Sequence, residues 1–128
     1  MNNILIVDDS TSMRQMVEHT LSSAGFTITS AEDGDVALNL ARDKMEQSPG
    51  AGFDLVITDI NMPNMDGITL IRELRKLADY QFKPILVLTT ESGDAKKLEG
   101  KEAGATGWIV KPFVPAKLVE VTTLVLNR

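Results

Sequence analysis

Four apolar or β-branched residues in a row, Leu55, Val56, Ile57 and Thr58, run into Asp59, and the chain then enters a Pro-containing loop from Ile60 to Gly67. A run without period-2 alternation reads as a strand covered on both faces, the habit of parallel sheets. Asp59 is then presented at that strand's carboxyl end, where open α/β sheets bind their ligands. Taken alone, Asp59 could equally begin a turn. A second stretch repeats the design, with Ile4, Leu5, Ile6 and Val7 running into Asp8 and Asp9. Those two could equally be a solvated cap before a helix. Where the two strand ends lie side by side, three carboxylates converge at one sheet edge and repel one another unless a cation joins them. A hard divalent ion, Mg²⁺ or one close to it, resolves that conflict with oxygen ligands from carboxylates, a backbone carbonyl and waters.

A chain of 128 residues with 43% hydrophobic content suits a single domain, 1–128, around one core. The formal net charge of −5 argues against nucleic acid as a direct partner, because phosphate backbones are bound by basic patches. With no cysteine there is no disulfide, no thiol catalysis and no thiolate metal site. Met1-Asn2-Asn3 does not lead into a basic region and a long apolar stretch, and no apolar run approaches the roughly 20 residues of a membrane span. The expectation is a soluble, cytoplasmic protein with no membrane partner.

Apolar runs and helical periods alternate along the rest of the chain. Thr11 or Ser12 is placed to cap a helix with the stripe Met13, Met16, Val17, Leu21 and Ala24, closed by Gly25. Its methionines read as packing. Phe26 to Ala31 is a shorter, more polar strand suited to a sheet edge. Asp33-Gly34 opens a helix carrying Ala37, Leu38, Ala41 and Met45, and Gln47 to Gly52 is a loop of small and breaker residues. Asp66-Gly67 starts a third helix with Leu70, Ile71, Leu74 and Leu77 facing inward. Pro84 to Leu88 is a fourth strand ending in Thr89-Thr90-Glu91-Ser92. The charged helix near Asp94 to Ala103, with Leu98 and alanines as its apolar content and Gly100 inside it, should hold the core weakly. Gly107 to Val110 is a fifth strand, Lys111-Pro112-Phe113 follows, and a last helix carries Val114, Leu118, Val121 and Val125. His19 is the only histidine and has no companion for a metal site.

Five βα units with short connections imply parallel strands, right-handed crossovers and helices on both faces. Periodicity leaves the strand order open. In the flavodoxin-like order 2-1-3-4-5, strands one and three are neighbours at the switch point. Asp8, Asp9 and Asp59 would then share one pocket, joined by Thr89 and Lys111.

Two acidic residues after strand one, an aspartate after strand three, Thr89 after strand four and Lys111-Pro112 after strand five together resemble the receiver domain of two-component response regulators. Asn61 to Gly67, Ala103 to Gly107 and Val110 to Phe113 look closer still to the single-domain, CheY-like chemotaxis regulators. The resemblance implies a (βα)5 flavodoxin-like fold and a signalling switch that is not an enzyme, beyond assisting its own phosphotransfer and autodephosphorylation. It implies that Asp59 takes a phosphoryl group from a histidine kinase, that Lys111 pairs with a phosphoryl oxygen, and that the Thr89 hydroxyl donates to another. It implies one Mg²⁺ held by Asp9, Asp59 and the backbone carbonyl of Asn61, with Asp8 acting largely through bound water. Asn61 and Glu91 stand where this family tunes how quickly water removes the phosphoryl group. Pro112 allows the Lys111–Pro112 bond to be cis, as is common in the family.

In the switch that the resemblance implies, Thr89 moves toward the phosphoryl group and an aromatic on strand five turns inward. Here that aromatic is Trp108, where Tyr or Phe is more usual, beside Thr90, where Ala is more usual; a static, half-buried Trp108 is the alternative. The fourth helix, fifth strand and last helix would carry the readout, with Leu98, Trp108, Val114 and Lys117 as contacts. Implied partners are a CheA-like histidine kinase, a flagellar motor switch protein or another effector, and a phosphatase, with the chain acting as a monomer. The alternatives are a stand-alone receiver in a phosphorelay, a piece of a DNA-binding regulator, a flavodoxin-type electron carrier and a Mg²⁺-dependent phosphatase. The last two fit poorly: Asp8-Asp9 would repel an uncoordinated cofactor phosphate, and Asn61 stands where such phosphatases carry a second aspartate.

Overall fold

In a computed structural model that describes residues 2–48 and 50–127, the two unbroken apolar runs lie at the centre of a sheet. The chain alternates β1 (Asn3–Val7), α1 (Thr11–Ser23), β2 (Thr27–Ala31), α2 (Gly34–Gln47), β3 (Leu55–Thr58), α3 (Gly67–Arg75), a 3-10 turn (Ala78–Tyr80), β4 (Ile85–Thr89), α4 (Asp94–Ala103), β5 (Gly107–Val110) and α5 (Pro115–Leu126). All strand pairs are parallel, in the order β2-β1-β3-β4-β5, which is the flavodoxin-like topology. The polar β2 occupies one edge and β5 the other. Met1 and Pro49, the latter in the expected 47–52 loop, lie outside the described residues.

Alternate residues of each central strand feed two separate cores. On one face, Leu5, Val7, Val56, Ile85 and Val87 meet Ala37, Leu38 and Ala41 of α2 and Ile68, Ile71 and Leu74 of α3. On the other, Ile4, Ile6, Leu55, Ile57, Leu86 and Leu88 meet Val17 and Leu21 of α1 and Leu118 and Val125 of α5. Burying one such aliphatic side chain contributes about 1.5–3 kcal/mol, so α3 with Ile68, Leu70, Ile71 and Leu74 is held firmly. α4 buries only Gly100, and its hold is weak as its composition implies.

Several local expectations need correcting. Ser10, not Thr11 or Ser12, caps α1: it is the extended residue (φ −86°, ψ 116°), and its hydroxyl accepts the Met13 N–H. Thr11 is already helical and cannot play that part. Met16 is 51% exposed and Ala24 is exposed too, so the buried stripe of α1 narrows to Val17 and Leu21. β2 starts at Thr27 rather than Phe26, and β4 runs from Ile85 to Thr89, one residue later than the apolar run suggests. Val114 precedes α5 in extended conformation and is exposed, because Pro115 takes the first helical position. Leu98 points outward from α4, 57% exposed.

The turn at Ala78–Tyr80 has no forecast in the periodicity. Tyr80 is fully buried; its hydroxyl accepts the Phe53 N–H and donates to the Ala41 carbonyl, both at 3.0 Å. Arg75 at the end of α3 donates to the carbonyls of Tyr80, Lys83 and Gly104, tying that turn to the entry of β4 and the end of α4.

Candidate functional site

The register fixes the site. Val7 and Thr58 are paired across β1 and β3, so Asp8 and Asp59 leave adjacent strands at the same level. The Asp59 N–H still donates to the Val7 carbonyl (2.9 Å), and the Asp8 N–H to that of Ala31 (3.1 Å). Asp8, Asp9 and Asp59 each offer a carboxylate oxygen within 4.8 Å of the others. Asp8 is buried, Asp59 half-buried and Asp9 exposed, so the cluster opens outward at Asp9.

Lys111 enters from the end of β5, held by its N–H donating to the Thr89 carbonyl at 2.8 Å, and the Lys111–Pro112 bond is cis. Its ammonium lies 2.6 Å from Asp8 Oδ2 and 3.0 Å from Asp59 Oδ2. Burial works to discharge that ammonium, but the two carboxylates outweigh it and raise the lysine above its ordinary pKa. The remaining oxygens are fixed by backbone: Asp8 Oδ1 accepts the Ser10 N–H (2.9 Å) and Asp59 Oδ1 the Ile60 N–H (2.6 Å). Arg14 of α1 donates to the Asp8 carbonyl.

Among the three carboxyl groups one ammonium is in direct contact, touching Asp8 and Asp59, with the Arg14 guanidinium held nearby at the Asp8 carbonyl, so oxygen ligands outnumber the cations that touch them. The donors are all hard oxygens, with no histidine or cysteine among them. Such a set fits Mg²⁺ or a similar cation, and fits poorly the softer metals that select nitrogen or sulfur.

A second set of residues surrounds this cluster. Thr89 is fully buried at the end of β4, and its hydroxyl accepts the Glu91 N–H at 3.3 Å. Glu91 Oε1 accepts from the exposed Asn61 amide at 3.3 Å, and its carbonyl accepts the Trp108 indole N–H at 2.9 Å. Glu91 therefore connects Thr89, Asn61 and Trp108, although no contact joins those three to each other among the described hydrogen bonds. Trp108 is half-buried, with its ring against Gly100: a Cβ there would lie 2.6 Å from Cζ3. Thr90 is exposed after β4, as are Leu98 in α4, Val114 before α5 and Lys117 within α5.

Sequence reasoning overlooked three supports. Gly67 packs on the Asp59 carbonyl, which a Cβ would run into. Asn64 adopts φ +67° and its amide donates to Asp33 Oδ2 at 2.9 Å. Gly100 seats the indole. The Asn64-Met65-Asp66-Gly67 string carried a usable signal for the first two, since asparagine and glycine are the residues that tolerate tight or left-handed backbone.

Comparison with known proteins agrees with this geometry. Residues 4–123 match the response regulator receiver domain. The chain is 38% identical over 126 residues to chemotaxis protein CheY-3 of Vibrio cholerae, covering 98% of this chain and 92% of that protein. It is 40% identical over 125 residues to the probable transcriptional regulator ycf27 of Guillardia theta, but spans only 45% of that regulator's length. A structure of Vibrio cholerae chemotaxis protein CheY4 superposes with a TM-score of 0.86 at 46% identity, covering 98% of both chains. Since the family match begins in β1, ends in α5 and takes in Asp8, Asp9, Asp59 and Lys111 alike, the chain belongs to the response regulator receiver domain family.

Proposed function

We propose that this chain is a phospho-accepting switch of a two-component system, acting as a single receiver domain and as a signalling protein rather than an enzyme. The observation that carries the reading is the placement of Asp59: its side chain, 12% exposed, is open to a donor while sharing a buried ammonium with Asp8. Phosphoryl transfer asks a protein chiefly for positioning and charge neutralisation, which is what these groups supply. Asp59 attacks the phosphorus of a histidine kinase's phosphohistidine, a P–O bond forms as the P–N bond breaks, and an acyl phosphate results. Lys111 holds a phosphoryl oxygen as a point charge. The Thr89 hydroxyl, released from the Glu91 N–H, donates to another oxygen, while Asn61 and Glu91 govern the approach of water. Asp8, Asp9, Asp59 and the Asn61 carbonyl would hold Mg²⁺, which supplies neutralising charge to the oxygens of the transferring group.

For output, α4, β5 and α5 present Leu98, Trp108, Val114 and Lys117 to an effector, with the flagellar motor switch as the first choice. That choice is supported by the likeness to CheY-3 over nearly its whole length. A phosphorelay or other non-motor output is the second reading, favoured by the likeness to a probable transcriptional regulator. A cytoplasmic monomer suits both, and no helix among the described residues is long and apolar enough to cross a membrane.

The test uses Trp108, the only tryptophan. Mg²⁺ with a small acyl-phosphate donor, or with beryllofluoride, should change its emission, with no flavin colour and no sustained phosphate-ester turnover. Asp59→Asn should abolish the response to donor. Stoichiometric phosphate on that variant would remove Asp59 from its role. Binding of the beryllofluoride-loaded protein to flagellar switch components, against none to other effectors, separates the two outputs.

A further inference from the structure

The loop between β3 and α3 is fastened at three places. At its base the Gly67 N–H donates to the Ile60 carbonyl at 2.9 Å. On the β4 side, the Asn61 amide reaches Glu91. At its tip, on the opposite side, Asn64 stands at φ +67° and donates to Asp33 Oδ2 at 2.9 Å, while Met65 lies on Gly34, where a Cβ would come within 2.6 Å of its carbonyl oxygen. Asp33 is 7% exposed and both its oxygens are committed: Oδ1 accepts the Val36 N–H at 3.0 Å and so caps α2, and Oδ2 takes Asn64. Those two bonds, the Val36 N–H first, hold its carboxyl below the usual carboxylate range.

We infer that Asp33 is a positioning residue for the acidic site: through Asn64 it fixes the 61–66 loop, and with it the Asn61 carbonyl, although it touches none of the site's own atoms. This rests on the reading of the Asn61 carbonyl as a Mg²⁺ ligand. Asn61, Pro63 and Asn64 are exposed, so apart from Met62 and Met65 packing partly on the core, the loop has little buried surface to hold its shape. Asn64 tolerates the left-handed backbone, and the Met65 N–H closes the turn on the Pro63 carbonyl at 2.8 Å, but neither fixes where the tip sits; that takes a partner outside the loop. Asp33 is that partner, and it is anchored on a helix rather than on another loop.

Mg²⁺ titration by calorimetry, far below the melting temperature, tests this with two single variants and their combination. In Asn64→Asp two carboxylates would oppose each other, whereas in Asp33→Asn the Asn64 amide can turn over and accept from the new amide through its own oxygen. The double variant restores a donor–acceptor pair with the same total charge, and aspartate tolerates the left-handed backbone. Asn64→Asp should weaken Mg²⁺ binding about tenfold, the low end for partners of metal ligands, while Asp33→Asn and the double variant should stay within about twofold of the parent. A pure effect of charge would instead have opposite signs, weaker for Asp33→Asn and tighter for Asn64→Asp, and would overturn the inference. Asn64→Gly keeps the backbone without strain and removes only the amide, so parental affinity in that variant would also overturn it. If the parent itself ignores Mg²⁺, the reading of the acidic site fails; if the parent binds and Asn64→Asp and Asn64→Gly bind equally, only the role of Asp33 fails.

Discussion

Placing a methyl group at Gly100 tests how Trp108 is held. The added carbon would lie 2.6 Å from the indole Cζ3 and 3.2 Å from Cε3, with Ile68 Cδ1 behind at 3.5 Å. Comfortable carbon contacts are about 3.5–4.0 Å, so ring and helix must part by about 1 Å. Overpacking of this kind costs about 1–3 kcal/mol. Parting also breaks the 2.9 Å bond from the indole N–H to the Glu91 carbonyl, worth about 1 kcal/mol net. Against this, alanine in a helix is about 1 kcal/mol better than glycine. The balance is a loss of about 1–3 kcal/mol, which at a urea slope of about 2 kcal/mol/M lowers the unfolding midpoint by about 0.5–1.5 M. Native emission should move to the red as the indole exchanges a carbonyl for water. Because α4 buries no large side chain, it has little to resist such a shift. A midpoint that rises, with emission unchanged, would show that propensity alone acts at this position and that no seat for the ring exists.

Tyr80→Phe should lose about 1–3 kcal/mol in urea titration, because the Phe53 N–H is left buried and unpaired and the Ala41 carbonyl, inside α2, loses its second donor. Burial raises the Tyr80 pKa, so the phenol's contribution is complete below about pH 10 and is lost as pH rises through its higher folded value. The stability gap between parent and variant must therefore narrow in strong alkali, and a gap that widens there contradicts the reasoning. Lys111→Met leaves Asp8 and Asp59 facing each other without their cation and should lower stability by up to about 3 kcal/mol, with Mg²⁺ recovering part of the loss. A variant as stable as its parent and indifferent to Mg²⁺ would mean the three carboxylates do not act as a group.

What the sequence revealed was what parallel sheets write into it. Strands buried on both faces read as unbroken apolar runs, so the ends of β1 and β3 and the carboxylates following them were visible without a structure. Their adjacency needed the strand order, which periodicity does not contain and the resemblance supplied. Helix starts were legible where aspartate and glycine announce them, at Asp33-Gly34 and Asp66-Gly67, and obscure at Ser10-Thr11-Ser12, where three hydroxyl residues in a row all look suitable. The partners hidden from sequence are those joined across long separations by one hydrogen bond: Tyr80 with Ala41, Asn64 with Asp33, Trp108 with Glu91. None of them has a local period. Each depends on which loops meet, and that is decided only when both cores have closed.

The lysine at the end of β5 belongs to the polypeptide and cannot diffuse away. The acidic corner thus keeps a resident counter-ion at all times, and its geometry does not wait for a visitor from solution. On the proposed reading, a group added at Asp59 would meet a charge already stationed there, and its departure would let that charge fall back between two waiting carboxylates. Resetting such a site is a relaxation to a stored arrangement rather than a fresh act of folding.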